Sequence, residues 1–428
     1  MRIAAFVLAV LALSAIASAD KIEPSIYLQS GDYVKVIVKA DESALPLIAS
    51  ASVEYENFTG GFYSANISRS NLVFLESSAA VKRVWLERKS QPLLDISAPL
   101  IGANQTWPYY NGSGVKVCVI DTGMNSSHPA LFGRVVAEKD FITDDLDSNS
   151  TQDGANHGTH VAGIVASNNS TYKGVAFGSL ILNAKVFSNY DGENWSAVDS
   201  DVMAGIDWCI AQGAHVLTLS LGGADSNNDG SDALSQKLDY AVDQGKIIIV
   251  AAGNSGTSSF SILSPGLSHK AITVGSSQTG KSGTTRNAIS GFSSRGPTKD
   301  GRIKPDIAAP GEPITSLNNG GGFSTFSGTS MAAPHIAGIA ALALQARSNL
   351  TPEEFKALLM NTADGREKNN SYGAGVVNVS RLLGKINYTV SSSVGNYSRA
   401  HNIFVPENTE EIRATLYCPE NYSYHNNL

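Results

Sequence analysis

Charge is scarce in this chain, and cysteine is scarcer. Only 16% of its 428 residues are Asp, Glu, Lys or Arg, and the formal net charge is −7. A surface that neutralises phosphates needs a basic excess, and no basic stripe is present, so nucleic acid is excluded as a partner. Three cysteines, Cys118, Cys209 and Cys418, have no paired spacing. They give neither a disulfide framework nor a zinc-finger ligand set. Cys118 and Cys209 lie in apolar segments and read as small core residues. Past the N-terminus, long hydrophobic runs are also missing. The longest apolar helical stretch, residues 331–346, is interrupted by Pro334 and His335 and falls short of the ~20 residues a membrane span needs.

What is present begins with an address. Arg2 precedes an apolar run over residues 3–13, and Ala17-Ser18-Ala19 has the small-x-small form of a signal-peptidase site. Residues 1–19 are therefore read as a signal peptide and the product as exported. Fifteen Asn-x-Ser/Thr sequons, among them Asn57, Asn104, Asn125, Asn194 and Asn387, fit a glycosylated extracellular surface.

Length suggests roughly two or three domains. Residues 20–94 alternate strand and helix signals. Residues 33–40 (YVKVIVKA) have period two; residues 43–52 form a candidate helix; Gly60-Gly61 is a turn before a strand over 62–67. Ser70 is placed as the cap of a helix running through Ala80, and residues 81–88 as a closing strand. The expected unit is a small βαββαβ sandwich with one strand not located. In residues 95–385, strand-like runs at 115–120, 180–187, 215–219, 246–251 and 271–274 alternate with helical segments such as 157–166 and 198–212. Strands separated by helices predict a doubly wound, mainly parallel α/β sheet, whose functional groups gather at the carboxyl ends of the strands. Residues 386–428 turn polar and strand-like.

Three segments carry chemistry. The first, residues 115–123 (VKVCVIDTG), is an apolar strand ending in Asp121. Asp-Thr-Gly also marks aspartic proteases, but these pair two carboxylates, and a second Asp-Thr/Ser-Gly is not found. The second, DGANHGTHVAG over residues 153–163, lacks the glutamate and spacing of a zinc-protease helix. Gly158 beside His157 lets the backbone turn and leaves an imidazole at the mouth of a helix; alone, such a histidine is usually structural. The third, FSGTSMAAPHIAG over residues 326–338, places Ser330 at the start of an apolar helix with Pro334 in its first turn. A serine there is either a cap or a nucleophile whose free N–H and helix dipole suit an oxyanion. Ala332 excludes the Gly-x-Ser-x-Gly elbow of α/β-hydrolases.

Taken together, Val119-Ile120-Asp121-Thr122-Gly123, His157-Gly158-Thr159-His160-Val161-Ala162-Gly163 and Gly328-Thr329-Ser330-Met331-Ala332 resemble the three active-site motifs of the subtilisin-like serine proteases, and they follow in that family's order. Ser220-Leu221-Gly222-Gly223, Ala251-Ala252-Gly253-Asn254, Phe292-Ser293-Ser294-Arg295-Gly296-Pro297 and Lys304-Pro305-Asp306 extend the resemblance over residues 95–385. It implies a serine endopeptidase acting on protein or peptide substrates. Ser330 would be the nucleophile, His157 the base, Asp121 its orienting carboxylate and Asn254 the oxyanion donor. Ser220, Leu221, Gly222 and Gly223 would pair with the substrate backbone, and Leu263 would line the primary specificity pocket. His160 matches a non-catalytic position. Residues 20–94 resemble the family's ferredoxin-like propeptide, an intramolecular chaperone and inhibitor. Residues 386–428 resemble the opening of a C-terminal β-sandwich and suggest a truncated sequence. The chemistry requires no cofactor. The family's calcium site is expected to be lost, because Ala130 follows His128-Pro129 where an acidic residue is usual, and the loop over 167–173 is shortened. The acidic residues Asp140, Asp144, Asp145 and Asp147 are read as a solvated loop rather than another calcium site. The alternative is a catalytically inactive surface protein on the same fold.

Overall fold

A computed structural model describes residues 21–23, 26–27, 30–86, 97–142, 150–188, 195–365 and 367–386. The signal peptide, the 94/95 boundary, Asp144, Asp145 and Asp147, Asn194, and everything from Asn387 onward, including Cys418, lie outside them. The chain divides into two compact units, residues 1–91 and 92–428.

The smaller unit runs β1 (Tyr33–Ala40), α1 (Leu45–Ala51), β2 (Ser52–Phe58), β3 (Phe62–Ser68), α2 (Leu72–Ser77) and β4 (Val81–Leu86), with sheet order β2-β3-β1-β4. β1 pairs antiparallel with both β3 and β4, which is the ferredoxin-like arrangement. Its period-two pattern buries Val34, Val36 and Val38 against Ile48, Leu72 and Leu75 from the two helices. The strand not located in the sequence is β2, whose SVEYENF lies exposed at the sheet edge. Ser70 does not cap a helix through Ala80. It lies in a 3-10 turn, Arg69–Asn71, with its hydroxyl against that of Ser68 at 2.9 Å, and the α-helix that follows ends at Ser77.

The larger unit is built on β5 (Lys116–Asp121), β6 (Val135–Asp140), α3 (Gly158–Ala166), β7 (Leu180–Lys185), α4 (Asp199–Ala211), β8 (Val216–Leu219), α5 (Ala233–Asp243), β9 (Ile247–Ala251), β10 (Ile272–Gln278), β11 (Ile307–Glu312), the hairpin β12 (Ile314–Leu317) and β13 (Phe323–Phe326), and helices α6 (Thr329–Ala346), α7 (Pro352–Asn361) and α8 (Val379–Lys385). Seven strands form one sheet in the order β11-β10-β9-β8-β5-β7-β6, and every pairing in it is parallel. Such strands are apolar on both faces because helices cover both. In β9, Ile247 and Ile249 join the core under α3 and α6, whereas Ile248 and Val250 join the one under α4 and α5. Winding reverses at β5, since β7 lies on one side of it and β8 on the other. A crevice at the carboxyl ends of the strands follows from that reversal.

Two sequence expectations are corrected here. Cys118 and Cys209 are fully buried, but they also form a disulfide that ties β5 to α4 across 91 residues. Pro334 lies not in the first turn of its helix but as the sixth residue of α6, which runs through it. No helix among the described residues is long and apolar enough to cross a membrane.

Candidate active site

Asp121 is the last residue of β5 and only 1% exposed. The chain then turns at Gly123, whose φ is +93° and whose hypothetical Cβ would meet Gln152 O at 2.6 Å. Only glycine fits both constraints. His157 stands at the N-terminus of α3. The next residue, Gly158, packs so tightly on the end of β5 that a Cβ would lie 2.0 Å from Gly123 O and 3.2 Å from Asp121 Cβ. That close approach brings His157 Nδ1 to 2.7 Å from Asp121 Oδ1. Burial opposes charge on the imidazole. The Asp121 carboxylate, by charge and hydrogen bond, and Asp153 more weakly, outweigh it, so the His157 pKa is raised above its ordinary value.

Asp153 was not singled out in the sequence. It is buried and organises the turn: Oδ1 accepts from Thr122 Oγ1 at 2.8 Å, Ala155 N at 3.1 Å and His157 N at 3.3 Å, while Oδ2 accepts from Thr159 N at 2.8 Å. A lone Asp in a Gly/Asn-rich loop gives no signal beyond that of a turn. His160 faces away from the crevice. Its Nε2 lies 3.1 Å from Ser324 O, and burial lowers its pKa to about 3.

Ser330 occupies the first turn of α6, half-buried. Its hydroxyl donates to the Ser220 carbonyl at 3.3 Å, and among the described residues no hydrogen bond joins it to His157. Such contacts commonly tighten only when substrate binds. Asn254 follows β9, and its Oδ1 accepts from Thr329 N at 2.9 Å and Thr329 Oγ1 at 3.0 Å. With the oxygen so held, the Nδ2 end is left to donate.

Asn254, His157 and Ser330 line one cavity of about 510 Å³ with Ser220, Leu221, Gly222 and Leu263. Gly223 borders it by pairing with Ser264, N to O at 2.8 Å and O to N at 2.9 Å. Phe187 and Trp195 also line it. Phe187 was read as the end of the strand-like run 180–187, but β7 stops at Lys185 and leaves it in the loop beyond, and Trp195 sits in a loop with no periodicity to mark it. Trp195 lies against Gly154, where a Cβ would meet its ring at 2.3 Å.

At the expected calcium position, Ala130 is buried in the apolar core. Asn169 Oδ1 is occupied by the N–H groups of Thr171 at 2.8 Å and Tyr172 at 2.9 Å. Neither residue offers a cation the carboxylate oxygen that a hard-oxygen cage favours. Asp140, assigned to a solvated loop, instead pairs with Lys185 at 2.9 Å, both side chains buried. Among the described residues no cluster of three or more His, Cys, Asp or Glu is placed to hold a metal.

A strand-end aspartate is bonded to a histidine that shares one cavity with a helix-entry serine and an amide side chain, groups suited to nucleophilic catalysis on a parallel α/β sheet. The family model described as the Subtilase family matches residues 112–375. The chain is 36% identical over 352 residues to the serine protease AprX of Bacillus subtilis, covering 74% of this chain and 77% of that one. It is 38% identical over 278 residues to thermitase of Thermoactinomyces vulgaris, covering 64% and 90%. Among solved structures, a cold-adapted subtilisin-like serine proteinase matches at 35% identity with a TM-score of 0.50, over 63% of this chain and 89% of that one. The chain belongs to the subtilase family, and it is a serine endopeptidase acting on protein substrates.

Proposed function

We propose that Asp121, His157 and Ser330 are the catalytic triad of this endopeptidase and that Asn254 is its oxyanion donor. The observation that carries this reading is the 2.7 Å Asp121–His157 bond at the edge of the cavity that also holds Ser330 and Asn254. His157 Nε2 takes the Ser330 proton as Oγ attacks the scissile carbonyl, then passes it to the leaving amine; water reverses the sequence to release the acyl group. The developing oxyanion is met by Asn254 Nδ2 and the Ser330 N–H. Leu263 lines the specificity pocket. Its side chain fills the space where a Cβ on Gly253 would lie 2.6 Å from its Cγ, and one on Gly222 3.0 Å from its Cβ. An apolar side chain so close to two backbones suits apolar P1 groups of medium size, and the 220–223 segment pairs with the substrate strand.

The same reading makes residues 20–94 an inhibitory propeptide, supported by the ferredoxin-like fold of the described part. The enzyme is exported, supported by the signal-like residues 1–19 and by a disulfide, which persists in oxidising compartments. The reaction runs on the four named side chains, without calcium at the Ala130 position. A fluorophosphonate serine probe tests the triad. Labelling should fall on Ser330 and vanish in His157→Ala; labelling elsewhere, or none, would overturn the assignment.

A further inference from the structure

In an unbroken helix the N–H of residue 334 donates to the carbonyl of residue 330, four positions earlier. Pro334 has no N–H, and its ring crowds that carbonyl. The Ser330 carbonyl in α6 thus lacks its helical donor, and a buried acceptor left unmet is costly. A side chain from another element supplies the bond: the Ser220 hydroxyl donates to Ser330 O at 2.8 Å. Ser220 is 5% exposed, and it begins the segment after β8 that runs along the cavity. The contact is reciprocal, since the Ser330 hydroxyl donates to the Ser220 carbonyl at 3.3 Å. One residue therefore ties the edge of the cleft to the turn of helix that carries Ser330.

We propose that Ser220 is a positioning residue whose hydroxyl replaces the helical N–H that Pro334 cannot supply, and so sets the direction of Ser330 Oγ and N–H. This role of the side chain is separate from any pairing of the Ser220 backbone with substrate, and it rests on Ser330 being the nucleophile. Without the hydroxyl, the first turns of α6 are free to shift, and misplacing a reacting group by 1 Å costs on the order of 10²-fold in rate. Pro334→Ala restores the missing N–H, so the two positions should be coupled.

The test is a double-mutant cycle on the mature protein, read by kcat and KM on a peptide amide and by the rate of fluorophosphonate labelling. Ser220→Ala should lower kcat and the labelling rate roughly 10–100-fold, with KM changed by less than about twofold. In a Pro334→Ala background the same substitution should cost no more than about twofold, because the restored N–H and the Ser220 hydroxyl serve the same carbonyl and contributions that share a partner are not additive. An equal cost in both backgrounds, or no cost in the native one, overturns the proposal. Should Ser220→Ala yield no folded protein, recovery of folded enzyme in Ser220→Ala/Pro334→Ala supports it, and failure of both overturns it. If the unaltered protein does not label at Ser330, the nucleophile assignment itself falls. Labelling there with the Ser220→Ala rate unchanged removes only the role given to Ser220.

Discussion

Asp121 directs its contacts through one oxygen. Oδ1 accepts from Thr122 N at 2.8 Å and faces His157 Nδ1 at 2.7 Å, while Oδ2 is buried with no hydrogen-bond partner among the described residues. In the proposed triad Asp121 Oδ1 accepts from Nδ1–H, which leaves Nε2 as the base. The raised pKa of His157 keeps the inactive imidazolium to higher pH than for a free histidine. Activity should therefore rise with pH through a midpoint above the ordinary value of about 6.5. Asp121→Asn should lower kcat on the order of 10⁴-fold by favouring the wrong tautomer, and should move the midpoint downward. A rate profile flat from about pH 5 to 8 would contradict His157 as the base.

Asn254→Ala should lower kcat by roughly 10²–10³ with little change in KM, because its amide meets full charge only in the transition state. Steady-state kinetics on a short peptide amide are sufficient. A change confined to KM would make Asn254 a ground-state binding residue.

Processing should be intramolecular. Ser97-Ala98-Pro99 resembles the Ser-x-Pro near the mature N-terminus of subtilases, placing Leu94 at P1 and Asp95 at the new terminus, although Pro92 at P3 removes one donor from the substrate strand. The apolar Leu263 side chain suits leucine. N-terminal sequencing of the unaltered protein should start near Asp95, while Ser330→Ala should retain residues 20–94. Trimming of the mutant at the same bond in a protease-free host would assign the cut to another enzyme.

Lys304 predicts a second pH dependence, one of stability. Its ammonium lies 2.8 Å from Asp306 Oδ2, and Lys356 lies 3.2 Å from Asp306 Oδ1, all three side chains buried. Burial, with the cations Lys356 and Arg302 nearby, lowers the Lys304 pKa to about 7 despite Asp306. Burial works against the Asp306 carboxylate, but the two lysines hold its pKa well below the usual range. Between about 7 and the ordinary lysine value of about 10.4, the unfolded chain binds more protons at residue 304, so this group makes stability rise with pH. Below pH 7 both states are charged there and its burial cost is fully present. Denaturant unfolding in a Ser330→Ala background, repeated with Lys304→Met, should show the Lys304 protein gaining stability relative to the Met variant as pH rises from about 7 to 10. A pH-independent difference would mean that Lys304 stays charged throughout.

Much of the site was legible because it obeys local rules. The apolar run before Asp121 could only be a buried strand, and Gly158 and the apolar helix after Ser330 mark two helix entries. The parallel sheet followed from strands alternating with helices. What escaped is tertiary or irregular. β2 carries Glu54 and Glu56 at an exposed edge, and β11 contains Pro310 and Gly311, so neither reads as a strand. The Cys118–Cys209 bond depends on α4 packing across β5, which no spacing encodes. Phe187, Trp195 and Asp153 owe their places in the cleft to loops, whose paths are set by what they connect.

The all-parallel sheet also bears on how fast the enzyme can be made and destroyed. Every one of its pairings needs a crossover, and none can form from a hairpin, so loop-closure entropy is spent before the pairings that offset it appear. Folding over such a topology is slow, and a template that holds strands in register shortens it. The chaperone role expected of residues 20–94 would act on that barrier. The same barrier is met in reverse on unfolding, wherever the interactions that must break are absent from the transition state. For a protease surrounded by copies of itself, a high barrier to opening limits loss by a rate rather than by an equilibrium.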